Sequence, residues 1–150
     1  MKPLDRRLLL IAGLSLTLAP RVGRAAETPV PITFADLYKP ATLQGLEFTD
    51  KIVGLSGKPV SIKGFMAPPL KAEADFFVLT RTPVSLCPFC DSDASWPIDI
   101  VVIHLRESAG FTSPYDGIQV VGRLETGSKM DPKTGFVSLL RVVDAEYRLA

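Results

Sequence analysis

The sequence predicts an all-β domain, a small five-stranded OB-like barrel, behind an N-terminal export signal. Three observations carry the fold prediction. Apolar, β-rich runs recur along residues 57–149, segments with Pro or Gly separate them, and two of the runs have an internal glycine. Because a glycine inside a strand permits a sharp bend, such runs suit a small sheet that closes or nearly closes on itself.

The first 25 residues have the three parts of a signal peptide. Lys2, Arg6 and Arg7 give a positive start, and Leu8–Leu18 is an apolar run of 11 residues. That run is too short to span a bilayer, which takes about 20 apolar residues. The segment Gly23–Ala25 places small residues before a cleavage point after Ala25.

The route of export stays open between two systems. Arg6-Arg7 followed by leucines resembles a twin-arginine signal, which we favour slightly over the general secretory route. No cysteine follows the cleavage point, so no lipid anchor is expected there. We therefore expect a soluble, periplasmic or otherwise exported protein without a stable membrane anchor, in an oxidising compartment that allows disulfides.

Removal of the signal peptide changes the charge balance. Residues 1–25 carry five of the 17 basic residues and one of the 16 acidic ones, so 12 basic and 15 acidic residues remain, a net charge of −3. A mildly acidic chain without a basic cluster is poorly suited to a phosphate backbone, which argues against nucleic-acid binding. The remaining length suits a single domain.

Residues 26–31 read as a flexible, extended leader, and residues 32–150 as the single barrel domain. Ile32–Tyr38 fits either a strand or a short helix that begins near Thr33, and Pro40 ends it. We expect the segment from Ile32 to Phe48 to pack on the outside or at one end of the barrel.

Five runs are expected to form the strands of the barrel. Gly64 should bend the first, Gly122 lies in the middle of the fourth, and the fifth should bend near Asp144. Val102 and Val120 are predicted core residues. The five runs are Val60–Met66, Asp75–Thr80, Ile98–Leu105, Gly117–Glu125 and Phe136–Leu149.

The segment from Cys87 to Cys90 (CPFC) holds both cysteines of the chain. Two thiols at this spacing can bind a soft metal ion, exchange electrons as a reversible disulfide, or form a structural disulfide. A closed loop of four residues contributes only about 2 kcal/mol to stability in the loop-closure model, so a purely structural role is weakly supported. All three roles stay open.

A metal site needs ligands besides the two thiolates. The candidates are His104, which is the single histidine, Asp91 in the loop, and Met66 in the first strand. Two thiolates with an imidazole and a carboxylate suit Zn²⁺, whereas two thiolates with a thioether suit Cu⁺. Ordinary core packing is the commoner role for a lone histidine such as His104 and for a methionine such as Met66.

A redox-active pair of the thioredoxin type needs a helix directly after the second cysteine, because the helix N-terminus stabilises a thiolate. Residues Asp91–Pro97 instead predict a polar loop, and its carboxylates disfavour a thiolate. No phosphate-binding glycine loop, second histidine or GxSxG motif occurs in the sequence. We expect a binding or accessory module rather than an enzyme.

Several segments resemble an uncharacterised family of secreted bacterial domains. The resemblance covers roughly residues 32–149 and implies an OB-like barrel without an assigned activity, often encoded near ABC-transporter genes. An ABC transporter or another envelope component is therefore the implied partner. The segments are Gly57–Met66, Phe76–Leu79, Cys87, Ile100–Val102 and Val120–Leu124.

The sequence departs from that family at the cysteine motif. The family pattern has a cysteine, a histidine two residues later, and then a run of prolines. Here Phe89 stands where the histidine would be, Cys90 follows it, and Pro97 alone remains of the proline run. A Cys/His site is therefore not carried over from the family, whereas a Cys/Cys site remains chemically reasonable.

The function expected from these observations is an exported accessory domain that binds Zn or Cu through the Cys87–Pro97 loop in support of a transport system. Thiol–disulfide exchange by the same pair, or a non-catalytic interaction domain with a structural disulfide, are the alternatives.

Overall fold

Six strands form one mixed sheet in the residues that the computed structural model describes, which are 27–40, 45–68, 75–84, 98–107 and 110–150. The prediction of a mostly β domain is confirmed. The elements are β1 (Val30–Ile32), a 3-10 helix (Phe34–Asp36), α1 (Asp50–Leu55), β2 (Pro59–Met66), β3 (Phe76–Thr80), β4 (Ile100–Leu105), β5 (Gly117–Met130) and β6 (Val137–Leu149).

The strands lie in the order β1-β2-β3-β4-β6-β5, and β2 also pairs with β5. Strands β2 to β6 thus pair in a cycle, in which each has a neighbour on both sides. β1 runs parallel to β2, and β4 runs parallel to β6, whereas the other pairs are antiparallel.

Strand β2 has two antiparallel partners, and Gly64, where the sequence predicted a bend, directly precedes the residues that pair with β3. Its residues from Pro59 to Phe65 pair with β5, and its last two residues pair with β3. A Cβ atom at Gly64 would lie 2.6 Å from the carbonyl oxygen of Thr80 and 2.9 Å from Cγ of Leu79. The close approach of β3 therefore requires a glycine at this position.

Strand β6 has a bulge at Asp144, where the sequence predicted a bend. Asp144 and Ala145 together oppose Gly122 of β5, and Asp144 has a φ of 50°. Aspartate tolerates this left-handed conformation better than most residues. A Cβ atom at Gly122 would lie 2.7 Å from the side chain of Val142, so the strands meet closely at the bulge.

Buried side chains form two clusters on opposite faces of the β3–β4 pair. The main core takes alternate residues of β2 to β6, including Val120. The second cluster takes the other face of β3 and β4, including Val102. Both valines are buried as predicted, but in different clusters. The members of the second cluster are Ala67, Phe76, Val78, Ile100 and Val102.

The N-terminal segment packs on the main core. Val30 and Pro31, which the sequence assigned to the leader, pair with β2 as part of β1. Thr33 precedes the 3-10 helix, and its backbone N–H and its hydroxyl each donate to Asp36 Oδ2 at 2.8 Å. The predicted alternatives for this segment, strand and short helix, thus both occur in succession.

Helix α1 was not predicted from the sequence. Its N-cap is Thr49, whose hydroxyl oxygen accepts a hydrogen bond from the N–H of Ile52 at 3.3 Å. Ile52 is fully buried in the main core. Within the described ranges, neither helix has the length and apolar character that crossing a membrane would need. The predicted signal peptide lies outside the described residues.

Candidate functional site

The predicted ligands Cys87, Cys90 and Asp91 lie outside the residues that the structure describes, as does the whole Cys87–Pro97 loop. What the structure describes are the two ends of the connection between β3 and β4. There the N–H of Arg81 donates to the carbonyl oxygen of Asp99 at 3.2 Å, and the Arg81 guanidinium contacts the Asp99 carboxylate at 3.2 Å. A main-chain bond and an ion pair thus hold the ends of the connection together.

Thr80, the last residue of β3, fixes the start of this connection. Its buried hydroxyl lies 2.8 Å from the carbonyl oxygen of Thr82 and 3.2 Å from that of Phe65 in β2. The neighbouring pair in the ladder is Met66 with Leu79. The backbone of Met66 therefore lies at the end of β3 where the connection begins, while its side chain is buried in the main core, with 3% of its surface exposed.

His104 lies at the opposite end of the β3–β4 pair. It is paired with Phe76, the first residue of β3, whereas the connection joins β4 at Ile100. Four residues of strand span about 13 Å. His104 alternates with Ile100 and Val102 and so faces the second cluster, on the other side of the sheet from Met66.

The structure therefore does not bring His104 and Met66 together. Among the described residues, no group of three or more His, Cys, Asp and Glu side chains could hold a metal ion. Of the predicted ligands, His104 is the one that the structure places beside a pocket.

The imidazole of His104 borders a small pocket of about 40 Å³, which we call the His104 pocket. The ring of His104 lies 5.4 Å from that of Phe76, which in turn lies 5.5 Å from that of Phe136. These three rings form one wall, and the turn between β5 and β6 forms another. The pocket is lined by Phe76, Val102, His104, Lys129, Met130, Asp131, Pro132, Phe136 and Ser138.

Burial lowers the pKa of His104 below its usual range, because a half-buried imidazolium loses hydration. The positive charges of Lys129 and Arg141 lower the pKa of His104 further. The carboxylates of Asp131 and, more weakly, Glu125 raise it. The imidazole is therefore neutral at pH 7, with one nitrogen that donates and one that accepts a hydrogen bond.

Asp131 remains a carboxylate beside this neutral ring. The hydroxyl and the N–H of Thr134 donate to its Oδ1 at 2.7 and 2.8 Å, and the N–H of Lys133 donates at 3.1 Å. These hydrogen bonds, the Thr134 hydroxyl above all, lower the pKa of Asp131. The turn thus presents a fixed negative charge to the His104 pocket.

Arg141 of β6 is a buried cation, with 6% of its surface exposed, and it lies on the face of the sheet that carries His104. Its Nε donates to Glu125 Oε2 at 2.9 Å, and its Nη1 donates to the carbonyl oxygen of Gly127 at 2.8 Å. It pairs with Val102 across the parallel ladder. The sequence analysis missed this residue, although a lone arginine inside the apolar run LLRVV was a usable signal.

A second charged surface surrounds the bulge of β6. Arg123 contacts the carboxylate of Asp144 at 2.9 Å, and Arg106 contacts that of Glu146 at 2.7 Å. These residues border an open groove of about 980 Å³. Since these four side chains are exposed and paired with each other, each ion pair contributes little to stability.

The fold is shared with a solved structure. A DUF3299 family protein (PA4066) from Pseudomonas aeruginosa PAO1 matches with a TM-score of 0.53 and 12% sequence identity, over 83% of this chain and 97% of that chain. The resemblance found in the sequence likewise pointed to a family of unknown function. No protein-family model and no curated protein matches the sequence. At this identity, the likeness to the solved structure concerns the fold alone.

Proposed function

We propose that this chain is an exported accessory domain that binds a soft metal ion, Zn²⁺ or Cu⁺, through Cys87 and Cys90 in support of a transport system. The observation that carries the proposal is the position of the CPFC segment within a connection whose ends are bound to each other. Arg81 and Asp99 contact each other at 3.2 Å through both their main chains and their side chains, and the two cysteines lie between them in the sequence.

We further propose that strands β2 to β6 form an OB-like barrel. The cyclic pairing of these strands supports it, as do the close approach of β3 to Gly64 and the bulge at Asp144, because a small barrel needs both closure and sharp curvature. An OB-fold is a five-stranded Greek-key barrel that carries its binding sites on loops and on one strand face.

The two thiolates are the main ligands in this proposal, with Asp91 as a third. Soft thiolates favour Zn²⁺ and Cu⁺ over hard cations such as Mg²⁺. His104 is the weaker candidate, because it lies at the other end of β4 from the loop, and Met66 is buried in the main core. An ABC transporter or another envelope component is the proposed partner.

Metal titration of the reduced mature protein tests this function. We expect one Zn²⁺ or Cu⁺ per chain, loss of binding in both Cys87→Ser and Cys90→Ser, and retention in His104→Ala. Ser85→Ala is the matched control, because it alters the same connection without removing a thiol. Failure of the fully reduced wild-type protein to take up either metal would contradict the proposal.

Thiol–disulfide exchange is the second candidate, because both cysteines share a four-residue segment of an exported chain. A reduction potential above about −300 mV would favour exchange, and one below it a structural disulfide.

Export has its own test: the N-terminus of the protein recovered from cells should be Ala26. Replacement of Arg6-Arg7 by two lysines should reduce export if the twin-arginine route is used.

A further inference from the structure

A second pocket, of about 360 Å³, lies on the outer face of β2 where β1, the 3-10 helix and β5 adjoin it. We call it the basic pocket. Its lining includes Ile32, Phe34, Lys63, Arg81 and Gln119. The sequence analysis predicted a binding role for none of these residues, and none of them lines the His104 pocket.

The charged residues that line the basic pocket are both cations. Lys63 and Arg81 line it, and no carboxylate does so among the described residues. Lys63 is exposed on β2, and its ammonium has no hydrogen-bond or ion-pair partner within the described part of the chain. Since Arg81 is paired with Asp99 outside the lining, the unpaired ammonium of Lys63 is the charge that attracts an anionic group to this pocket.

Further hydrogen-bond donors border the same space. The guanidinium of Arg81, which contacts Asp99 through Nη2, carries five N–H donors in all. The Gln119 carbonyl oxygen accepts a bond from Arg148 at 3.0 Å, so the Gln119 side-chain NH₂ group is left to donate. An ammonium, a guanidinium and an amide NH₂ are together suited to a carboxylate.

Part of the remaining lining is apolar. Pro31 and Ala35 are exposed there, whereas Ile32 and Phe34 are packed mostly into the main core, and Thr33 and Ser61 are polar. A fully hydrated inorganic anion gains little from such a surface, whereas a hydrocarbon body gains free energy by leaving water. The ligand should therefore carry both an anionic group and an apolar part.

A singly charged group fits better than a phosphate dianion. Thr33, at the edge of the pocket, donates both its N–H and its hydroxyl to Asp36, so these donors are already used. The carboxylate of Asp36 also adds a negative charge beside that edge. We infer that the basic pocket binds a small organic carboxylate with an apolar body, held by Lys63 and Arg81.

The test is a titration of the ¹⁵N-labelled mature protein with hexanoate, acetate and inorganic phosphate, followed by amide chemical shifts and calorimetry. Hexanoate should bind saturably and shift the amides of Ile32, Lys63 and Gln119. Acetate should bind more weakly because it lacks the apolar body. Lys63→Met should weaken hexanoate binding about tenfold, the usual scale for one charge-assisted contact.

Two further variants separate the pocket from general charge effects. Lys58→Met removes the same charge from an exposed position outside the pocket lining and should leave hexanoate binding unchanged. Asp99→Asn removes the carboxylate that competes for Arg81 and should strengthen binding. Equal losses in the Lys63 and Lys58 variants, phosphate binding tighter than hexanoate binding, or no saturable hexanoate binding would each overturn the inference.

Discussion

Arg141 Nε and Glu125 Oε2 lie 2.9 Å apart and join β5 to β6 on the face that carries His104. The guanidinium also holds the carbonyl oxygen of Gly127, where β5 has a φ of 102°. The register of β5 and β6 shifts in this region, between Thr126 and Lys129. Arg141 therefore satisfies backbone and carboxylate groups that the irregular ladder leaves without strand partners.

Replacing Arg141 by methionine should lower the free energy of unfolding by about 1–3 kcal/mol, because the Glu125 carboxylate and the Gly127 carbonyl oxygen lose their partner. Urea unfolding measures this change. The double variant Arg141→Met with Glu125→Gln should recover part of the loss, since the unpaired carboxylate is then gone. Strictly additive effects in this double-mutant cycle would show that the ion pair does not couple the two residues.

The tight contact at Gly64 predicts a different kind of defect. Gly64→Ala places a Cβ 2.6 Å from a backbone oxygen that cannot move without β3, so we expect a loss of about 1–3 kcal/mol in the free energy of unfolding. Gly54→Ala is the matched control, because nothing lies within 4 Å of its Cβ and helix α1 contains it. That control should be neutral or stabilising by up to about 1 kcal/mol. Equal effects of the two alanines would argue against the close approach of β3.

The five long strands could be predicted from the sequence, whereas helix α1 and the far end of β5 could not. Runs such as the one ending at Met66 are apolar and bounded by Pro or Gly, and a glycine inside such a run, as at Gly64, marks a special position in the strand. Helix α1 escaped prediction because it has only six residues, one of them Gly54, and a single buried side chain, Ile52. Its helical conformation depends on packing against the main core rather than on local propensity.

The far end of β5 escaped prediction for a related reason. Residues beyond Glu125 read TGSKM, which lacks the alternation of a half-buried strand, and the last four residues of β5 are exposed. They continue the strand because β6 pairs with them, up to the pair of Met130 with Val137. The His104 pocket depends on this extension, so its lining could not be derived from the spacing of residues along the chain.

His104 should make stability depend on pH in one defined range. Because burial lowers its pKa in the folded protein, the unfolded chain binds a proton first as the pH falls. The stabilisation from the neutral imidazole is therefore complete above about pH 6.5, the unfolded value, and is lost as the pH falls toward the folded pKa. Asp36 and Asp131 also have lowered pKa values in the folded protein. Their contribution to stability is lost only near and below about pH 4, outside the range in which His104 titrates.

Urea midpoints measured between pH 5 and 7.5 test this dependence. The wild-type midpoint should fall toward the acid end, and His104→Phe should remove most of that fall, because the chain has no other histidine. A steeper decline in the variant than in the wild-type protein would contradict a buried, neutral His104.

The bulge of β6 predicts that position 144 discriminates between side chains of similar size. With a φ of 50°, Asp144 occupies the left-handed region, which asparagine tolerates and a β-branched residue does not. Asp144→Asn should therefore change the melting temperature little, although it weakens the exposed contact with Arg123. Asp144→Val should lower the melting temperature by several degrees, which corresponds to about 1–2 kcal/mol of backbone strain. A comparable loss in the asparagine variant would assign the importance of Asp144 to its charge rather than to its backbone conformation.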